Sequence, residues 1–181
     1  MNLNIETVET VKVVVAVTGV LIAALCDLKT RKIPNVLTFS MMALGLVLHI
    51  GNQGVSGIGV SLLGLMCGIL LLYLPFSLGG VGAGDVKLVG AIGALVGPAL
   101  VFQVFLASAV FGGIFSLVAM IRGKAAGRTF RDIKDKALYF LLTRKWLAES
   151  ADQSGERKLG IPYACAIGCG TLFILFVLKG G

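Results

Sequence analysis

Residues 78–87 read LGGVGAGDVK and place one carboxylate, Asp85, between a glycine-rich turn and a long apolar run that begins at Leu88. Four of the six residues 79–84 are glycines. Glycine has no Cβ and readily adopts positive φ, so another stretch of backbone or an extended peptide can approach Asp85 closely. We expect at least one of Gly82 and Gly84 to have a positive φ. The stretch is typical of a site rather than of a linker.

Nucleotide-binding loops do not explain this stretch. A Walker loop spaced as Gly79 to Gly84 needs its phosphate-binding lysine where Asp85 stands. A dinucleotide fingerprint that starts at Gly80 needs its third glycine at the same position. Both motifs are excluded.

The composition around this stretch is that of a membrane protein. Of the 181 residues, 57% are hydrophobic and 14% are charged, and the mean hydropathy is +0.96. A soluble domain of this length could not hide so much apolar surface, because apolar content near half and charge near a quarter are typical of globular chains. We therefore predict an all-α, polytopic membrane protein in contact with the lipid bilayer.

Neither the net charge nor the cysteines indicate a nucleic-acid partner or a metal. The formal charge of +7 comes from cations concentrated in two short segments between apolar runs, as in cytoplasmic loops, so we expect no nucleic acid. The four cysteines form no C-x-x-C pair, and cysteines in apolar runs usually behave as small hydrophobes. We expect no metal and no cofactor.

The apolar runs predict six transmembrane helices within a single domain, residues 1–181. Lys12 is expected to extend to the lipid surface at the outer end of the first helix. Residues 122–158 carry ten of the sixteen Lys and Arg and predict a cytoplasmic amphipathic segment between the fifth and sixth helices. The predicted spans are residues 11–26, 35–50, 58–76, two within 88–121 that are separated at Gly97-Pro98, and 161–178.

The distribution of basic residues orients these helices. When six spans alternate, fourteen of the sixteen cations fall on one side, all but Lys12 and Lys179. Cytoplasmic loops are rich in Lys and Arg, so this side is the cytoplasm and both termini face outward. The same alternation brings Asp27, at the inner end of the first helix, to the face that carries Asp85.

Two carboxylates on one membrane face suggest acid–base chemistry. Close carboxylates share one proton, because the first negative charge opposes the second ionisation. The ionised acid can then activate a water against a peptide carbonyl, while the protonated acid donates to the carbonyl oxygen. The structural alternative is that Asp27 pairs with Lys29 or Arg31, and Asp85 with Lys87.

Three segments carry a resemblance to a known family. Residues 82–88, GAGDVKL, resemble the G-x-G-D signature of intramembrane aspartyl proteases, and specifically of type IV prepilin peptidases. Residues 27–35, DLKTRKIPN, resemble that family's first aspartate segment, and residues 159–163, LGIPY, resemble the start of its last helix. By this resemblance Asp27 and Asp85 are the two catalytic acids.

The resemblance also implies a substrate and a location. It implies a peptidase of the inner, cytoplasmic membrane, whose acids face the cytoplasm and whose partners are prepilin-like precursors with a basic leader that ends in glycine. We expect Gly82, Ala83, Gly84 and Lys87 to bind this substrate. The larger bifunctional members have an added N-terminal region with C-x-x-C pairs. This chain shows none, so it resembles the short form of Flp/Tad-type pili, and we expect no methyltransferase activity.

Two other hypotheses remain open. The two acids could bind a cation or relay protons in a small transporter, although such acids usually lie at the midplane of repeated halves. The chain could also be an inactive relative that only binds leader peptides. We assign no chemistry to His49, the only histidine, because it falls near the outer end of the second helix.

Overall fold

The computed structural model describes residues 5–77, 80–122 and 163–180, which form helices and no strand. The chain divides into two compact units, Met1–Gly113 with Pro162–Gly181, and Ile114–Ile161. The described part of the second unit is the end of α5. The described ranges contain six helices: α1 (Ile5–Thr30), α2 (Asn35–Gln53), α3 (Val55–Ser77), α4 (Ala83–Val96), α5 (Pro98–Arg122) and α6 (Tyr163–Gly180).

Four of these helices are long and apolar enough to cross a membrane. The candidate spans are Glu6–Thr30, Asn35–Gln53, Val55–Ser77 and Pro98–Val118, and α6 contributes a shorter apolar stretch, Tyr163–Val177. Helix α4 has 14 residues and is about 21 Å long, against about 30 Å for a hydrocarbon core. The described residues confirm an all-helical protein with several candidate spans. The count of six crossings stays a prediction.

The helix termini differ from the predicted ones. Helix α1 continues past residue 26 to Thr30, so Asp27 lies within its last turn. Arg31, with φ of 54°, ends the helix, and its N–H donates to the Asp27 carbonyl at 2.9 Å. The turn predicted over residues 51–57 is only one residue long, because α2 ends at Gln53 and α3 begins at Val55. That residue is Gly54, whose φ of 63° suits glycine. The predicted amphipathic segment lies outside the described residues after Arg122.

Helix α4 is the core of the first unit. All its residues from Leu88 to Leu95 are buried, and α2 and α3 pack against it through glycines. A Cβ on Gly45 would lie 2.7 Å from the Ala94 carbonyl carbon, and one on Gly68 would lie 2.5 Å from the Val89 oxygen. Glycine therefore lets these backbones approach more closely than any side chain would allow.

Helix α6 packs beside α1 and the middle of α5. The Phe111 and Phe173 rings meet edge to face with centroids 6.1 Å apart. A Cβ on Gly112 would lie 3.2 Å from the Tyr163 ring, and one on Gly168 would lie 3.3 Å from Val20. These contacts place the N-terminus of α6 next to the end of α1 that bears Asp27.

Candidate active site

Asp85 lies in the first turn of α4, and this corrects the prediction that the helix begins at Leu88. The N-cap is Gly82, with extended backbone at φ −80° and ψ 153°. Its N–H donates to Asp85 Oδ2 at 3.2 Å, and the Asp85 N–H donates to the Gly82 carbonyl at 3.1 Å. An acid at the third helical position that accepts from the N-cap N–H is half of a capping box. The carboxylate thereby sets where the helix starts.

The second oxygen of Asp85 has a different environment. The residue is 9% exposed, and Oδ1 is buried without a hydrogen-bond partner among the described residues. The pKa of Asp85 is raised to about 6, chiefly because burial disfavours the charged form; the hydrogen bond from Gly82 opposes the rise, and the Asp27 charge adds to it. Asp85 can therefore hold or release a proton near neutral pH, as a general acid or base must.

Asp27 reaches the same place from the last turn of α1. Its Oδ2 accepts a hydrogen bond from the backbone N–H of Ala164 at 3.3 Å. Ala164 lies in the first turn of α6, where helical N–H groups have no partner within the helix and the dipole favours negative charge. Asp27 thus caps α6 from another helix, and its charge acts on Asp85. The structure brings the two predicted acids together.

The glycines before Asp85 differ from the prediction in backbone conformation. The positive-φ glycines in the described ranges are Gly54 and Gly97, so the positive φ expected at Gly82 or Gly84 is wrong. Gly84 is helical because α4 begins at Ala83, one residue earlier. A Cβ on Gly84 would lie 3.3 Å from the Ile33 Cβ, and one on Gly82 would lie 3.2 Å from Asp85 Oδ2. The lack of space for a side chain, and not a positive φ, therefore explains why glycine occupies positions 82 and 84.

Lys87 is directed to α2. Its Nζ donates to Asn35 Oδ1 at 2.9 Å and lies 5.8 Å from the centroid of the Phe39 ring. Lys87 therefore ties the start of α4 to the start of α2. The alternative in which an ion pair with Lys87 explains Asp85 is wrong.

Two residues that the sequence analysis set aside form a buried polar contact. Lys12 and His49 are each 3% exposed, so the prediction that Lys12 extends to the lipid surface is wrong. Lys12 Nζ lies 2.8 Å from Glu9 Oε1 and 3.5 Å from His49 Nδ1. The spacing of Glu9 and Lys12 by three residues indicated such a pair. The sequence contains no comparable signal for His49.

A surface groove of about 540 Å³ lies between α3 and α5, away from both acids. Its walls are almost entirely apolar, and no titratable carboxylate or histidine lines it. The groove therefore contributes nothing to the acid–base chemistry. Its lining residues are Cys67, Leu70, Leu71, Pro98, Ala99 and Phe102.

Two acids on different apolar helices meet at this site, and one of them has a raised pKa. This arrangement defines a class of protein: multi-pass membrane proteins with a two-carboxylate candidate site. Comparison with known families narrows this class. Residues 14–117, more than half of the chain, match the model of the type IV leader peptidase family. The chain belongs to this family, and the matched range contains both Asp27 and Asp85. Membership supports a peptidase role.

Curated relatives agree with this assignment. The chain is 32% identical over 105 residues to the prepilin leader peptidase/N-methyltransferase of Burkholderia pseudomallei strain 1026b, and equally similar to that of strain K96243. The alignment covers 54% of this chain and 34% of each relative, so the chain spans about a third of the length of the curated relatives it matches. No solved structure matches the chain significantly.

Proposed function

We propose that this protein is a membrane aspartyl endopeptidase that removes the basic leader peptide from prepilin-like precursors. The observation that carries the proposal is the meeting of Asp27 and Asp85, with one buried Asp85 oxygen left without a partner among the described residues. A buried acceptor without a partner is costly to the fold, and such strain is common at functional sites. A water or a substrate group would satisfy it.

The environments of the two acids assign their roles in this proposal. Asp85, whose pKa is raised to about 6, holds the shared proton and donates it to the carbonyl oxygen of the scissile peptide. Asp27, which accepts the N–H of Ala164, is the carboxylate that takes a proton from the attacking water. The water oxygen bonds to the carbonyl carbon to give a gem-diol. The C–N bond then breaks, the amine leaves with the proton taken by Asp27, and one diol hydroxyl returns its proton to Asp85 as the carbonyl reforms.

The glycine-rich turn supplies access to the acids. Ala83 is exposed and Gly84 is half-buried, so an extended peptide can lie beside the first turn of α4 and place its carbonyl near Asp85. We assign substrate contact to Gly82, Ala83 and Gly84. Lys87 acts there as a tether to α2, because its ammonium is bonded to Asn35.

The proposal places the reaction at the cytoplasmic face of the inner membrane. Six crossings put fourteen of the sixteen cations, together with both acids, on one side. A precursor would then present its basic leader in the cytoplasm and keep its apolar helix in the bilayer. The proposal is limited to the peptidase step.

Purified protein in lipid vesicles tests the proposal. The substrate is a synthetic precursor with a basic leader, a glycine and an apolar segment, and the variants are Asp27→Asn and Asp85→Asn. We expect each variant to insert normally and to lose at least about a hundredfold in cleavage rate, since each removes one member of the proton-transfer pair. Glu6→Gln, at an exposed acid on α1, is the matched control and should cleave normally.

Two outcomes would overturn the proposal. Wild-type cleavage by either Asn variant removes the two-acid mechanism. Vesicles that cleave no precursor, but conduct protons or cations in a manner that Asp85→Asn abolishes, would instead support a transporter.

A further inference from the structure

The C-terminus of α4 ends inside the bundle. The helix stops at Val96, before Gly97-Pro98, because proline disfavours helical backbone at the preceding residue. The last four carbonyls of a helix have no partner within the helix, and α4 is too short to bring them to the far membrane surface. They therefore need donors from neighbouring elements.

Backbone and side-chain donors satisfy three of these carbonyls. The N–H of Gly97 donates to the Gly93 oxygen at 2.8 Å. Ser61 on α3 donates to the Ala94 oxygen at 3.0 Å, and His49 Nε2 on α2 lies 3.0 Å from the Leu95 oxygen. Two neighbouring helices thus hold the end of α4 at a defined depth.

Lys12 favours the neutral form of His49 that donates its Nε2–H to the Leu95 carbonyl. An ammonium has only donors, so at 3.5 Å from Nδ1 it requires Nδ1 to be the acceptor. The ring proton is then on Nε2 and is donated to the Leu95 carbonyl. A doubly protonated ring would face the Lys12 ammonium with a second positive donor. The Lys12 charge is itself balanced by Glu9 at 2.8 Å, which also accepts from Asn52 at 3.3 Å.

We propose that His49 is a positioning residue for Asp85, with Lys12 holding its imidazole in the Nε2–H tautomer. The catalytic part of this inference rests on the proposed peptidase function. Asp85 and Leu95 are ten residues apart on one helix, which is about 15 Å. A short, fully packed helix moves as a rigid rod, so a shift at Leu95 becomes a shift at Asp85. A misplacement of about 1 Å in a reacting group can lower a rate on the order of a hundredfold.

The tautomer is tested without any enzymatic assay. Because His49 is the only histidine in the chain, protein labelled with ¹⁵N-histidine shows the two ring nitrogens of this residue alone. At pH 7 we expect a neutral ring with the proton on Nε2. Lys12→Met removes the donor at Nδ1 and should let the ring accept a second proton there, while the Leu95 carbonyl keeps the proton on Nε2. A ring with the proton on Nδ1, or an imidazolium, in the wild-type protein would overturn the inference.

The effect on Asp85 is tested in two ways. In the peptidase assay, His49→Leu should lower kcat about tenfold or more while KM and membrane levels stay near normal. His49→Gln, whose amide can both donate and accept, should restore kcat to within about threefold. Asn52→Ala is the control, because Asn52 contacts Glu9 at the exposed rim of the same cluster.

The second readout separates this inference from the proposed function. The carboxyl ¹³C signal of Asp85, assigned with Asp85→Asn, reports its titration even in a protein that cleaves nothing. Its midpoint should move in His49→Leu and return in His49→Gln. An unchanged midpoint in folded His49→Leu overturns the positioning role, whether or not any precursor is cleaved.

Discussion

The backbone N–H of Ala164 donates to Asp27 Oδ2 at 3.3 Å, although the two residues are 137 positions apart in the chain. This hydrogen bond joins the last turn of α1 to the first turn of α6. The negative charge of Asp27 also raises the pKa of Asp85, which lies in the first turn of α4. The ends of three helices therefore meet at the candidate site. Each of the three helices therefore contributes to the geometry of the two acids.

The first prediction concerns this hydrogen bond. Ala164→Pro removes the N–H at a position in the first helical turn, where proline is tolerated. We expect precursor cleavage to fall about tenfold while membrane levels change little, because Asp27 loses the donor that orients it. Ala164→Gly keeps the N–H and is the control. Equal cleavage by the two variants would show that the bond does not position Asp27.

The second prediction concerns Asp85 and pH. The pKa of Asp85 rises from an ordinary 3.8 to about 6 in the folded protein, so between these values the folded state binds more protons than the unfolded chain. Stability therefore falls as pH rises from about 4 to 6 and stays lower above that range. Asp85→Asn lacks this penalty and should be more stable than the wild-type protein at pH 8, by about 1–3 kcal/mol.

Thermal unfolding in detergent at pH 8 and pH 4 measures this difference. The Tm advantage of Asp85→Asn should be present at pH 8 and shrink toward zero at pH 4. Glu6→Gln, at an exposed acid, should show no such change. A Tm of Asp85→Asn at or below the wild-type Tm at pH 8 contradicts the raised pKa.

The third prediction concerns Gly84 and its neighbour. A Cβ on Gly84 would lie 3.3 Å from the Ile33 Cβ, so Gly84→Val must push the 31–34 loop away from the first turn of α4. We expect near-normal membrane levels, a stability loss of only about 1 kcal/mol and a fall in cleavage on the order of a hundredfold. Ile33→Ala in the same chain should restore part of the rate.

A matched substitution controls for added volume in the glycine-rich turn. A Cβ on Gly80 would make only a 3.4 Å contact with the Pro75 oxygen, so Gly80→Val should cleave much better than Gly84→Val. If both variants lose activity equally, or only in step with protein level, Gly84 is an ordinary structural residue. Additive effects of Gly84→Val and Ile33→Ala on the cleavage rate would also contradict the proposed contact between positions 84 and 33.

The fourth prediction compares two glycines of α3. A Cβ on Gly64 would overlap the Gly93 oxygen, whereas one on Gly59 would meet nothing within 4 Å. Gly64→Ala should therefore separate α3 from α4 and destabilise the protein by about 2–3 kcal/mol, while Gly59→Ala should be neutral or slightly stabilising. Tm values in detergent check this pair. Similar Tm values for both would mean that α3 and α4 pack less closely than described.

The fifth prediction concerns the six crossings. Single cysteines at Gly54 and Gly155, in a chain whose four native cysteines are replaced, should react with impermeant reagents from opposite sides of the membrane. The physical reason is the concentration of Lys and Arg on one side of the predicted spans. Labelling of both positions from the same side would refute the six-span topology and the shared face of the two acids.

Much of this fold could be predicted from sequence, because a helix that lies in a membrane needs a continuous run of apolar residues, and such a run is visible in the sequence. Apolar runs predicted every described helix, and the proline of Gly97-Pro98 predicted the boundary between α4 and α5. The two acids also stood out, because a carboxylate at the end of an apolar helix is expensive without a partner or a function. Alternation of the spans then predicted that Asp27 and Asp85 share a face.

Helix termini could not be predicted in the same way, because capping sets them and hydropathy does not. Asp85 accepts the N–H of its own N-cap, Gly82, so α4 begins at Ala83 and Gly84 takes helical backbone. A sequence rich in glycine suggested positive φ equally well. The choice between the two required the position of the Asp85 side chain.

By itself, then, the sequence determined the helices, their apolar character and the two acids, since these depend on side chains that are near one another in the chain. Only the tertiary structure decided that Asp27 accepts the N–H of Ala164, that Lys12 is buried against His49, and that His49 reaches the end of α4. The physical reason is that a buried polar group takes whichever partner the packing of distant helices brings within about 3 Å.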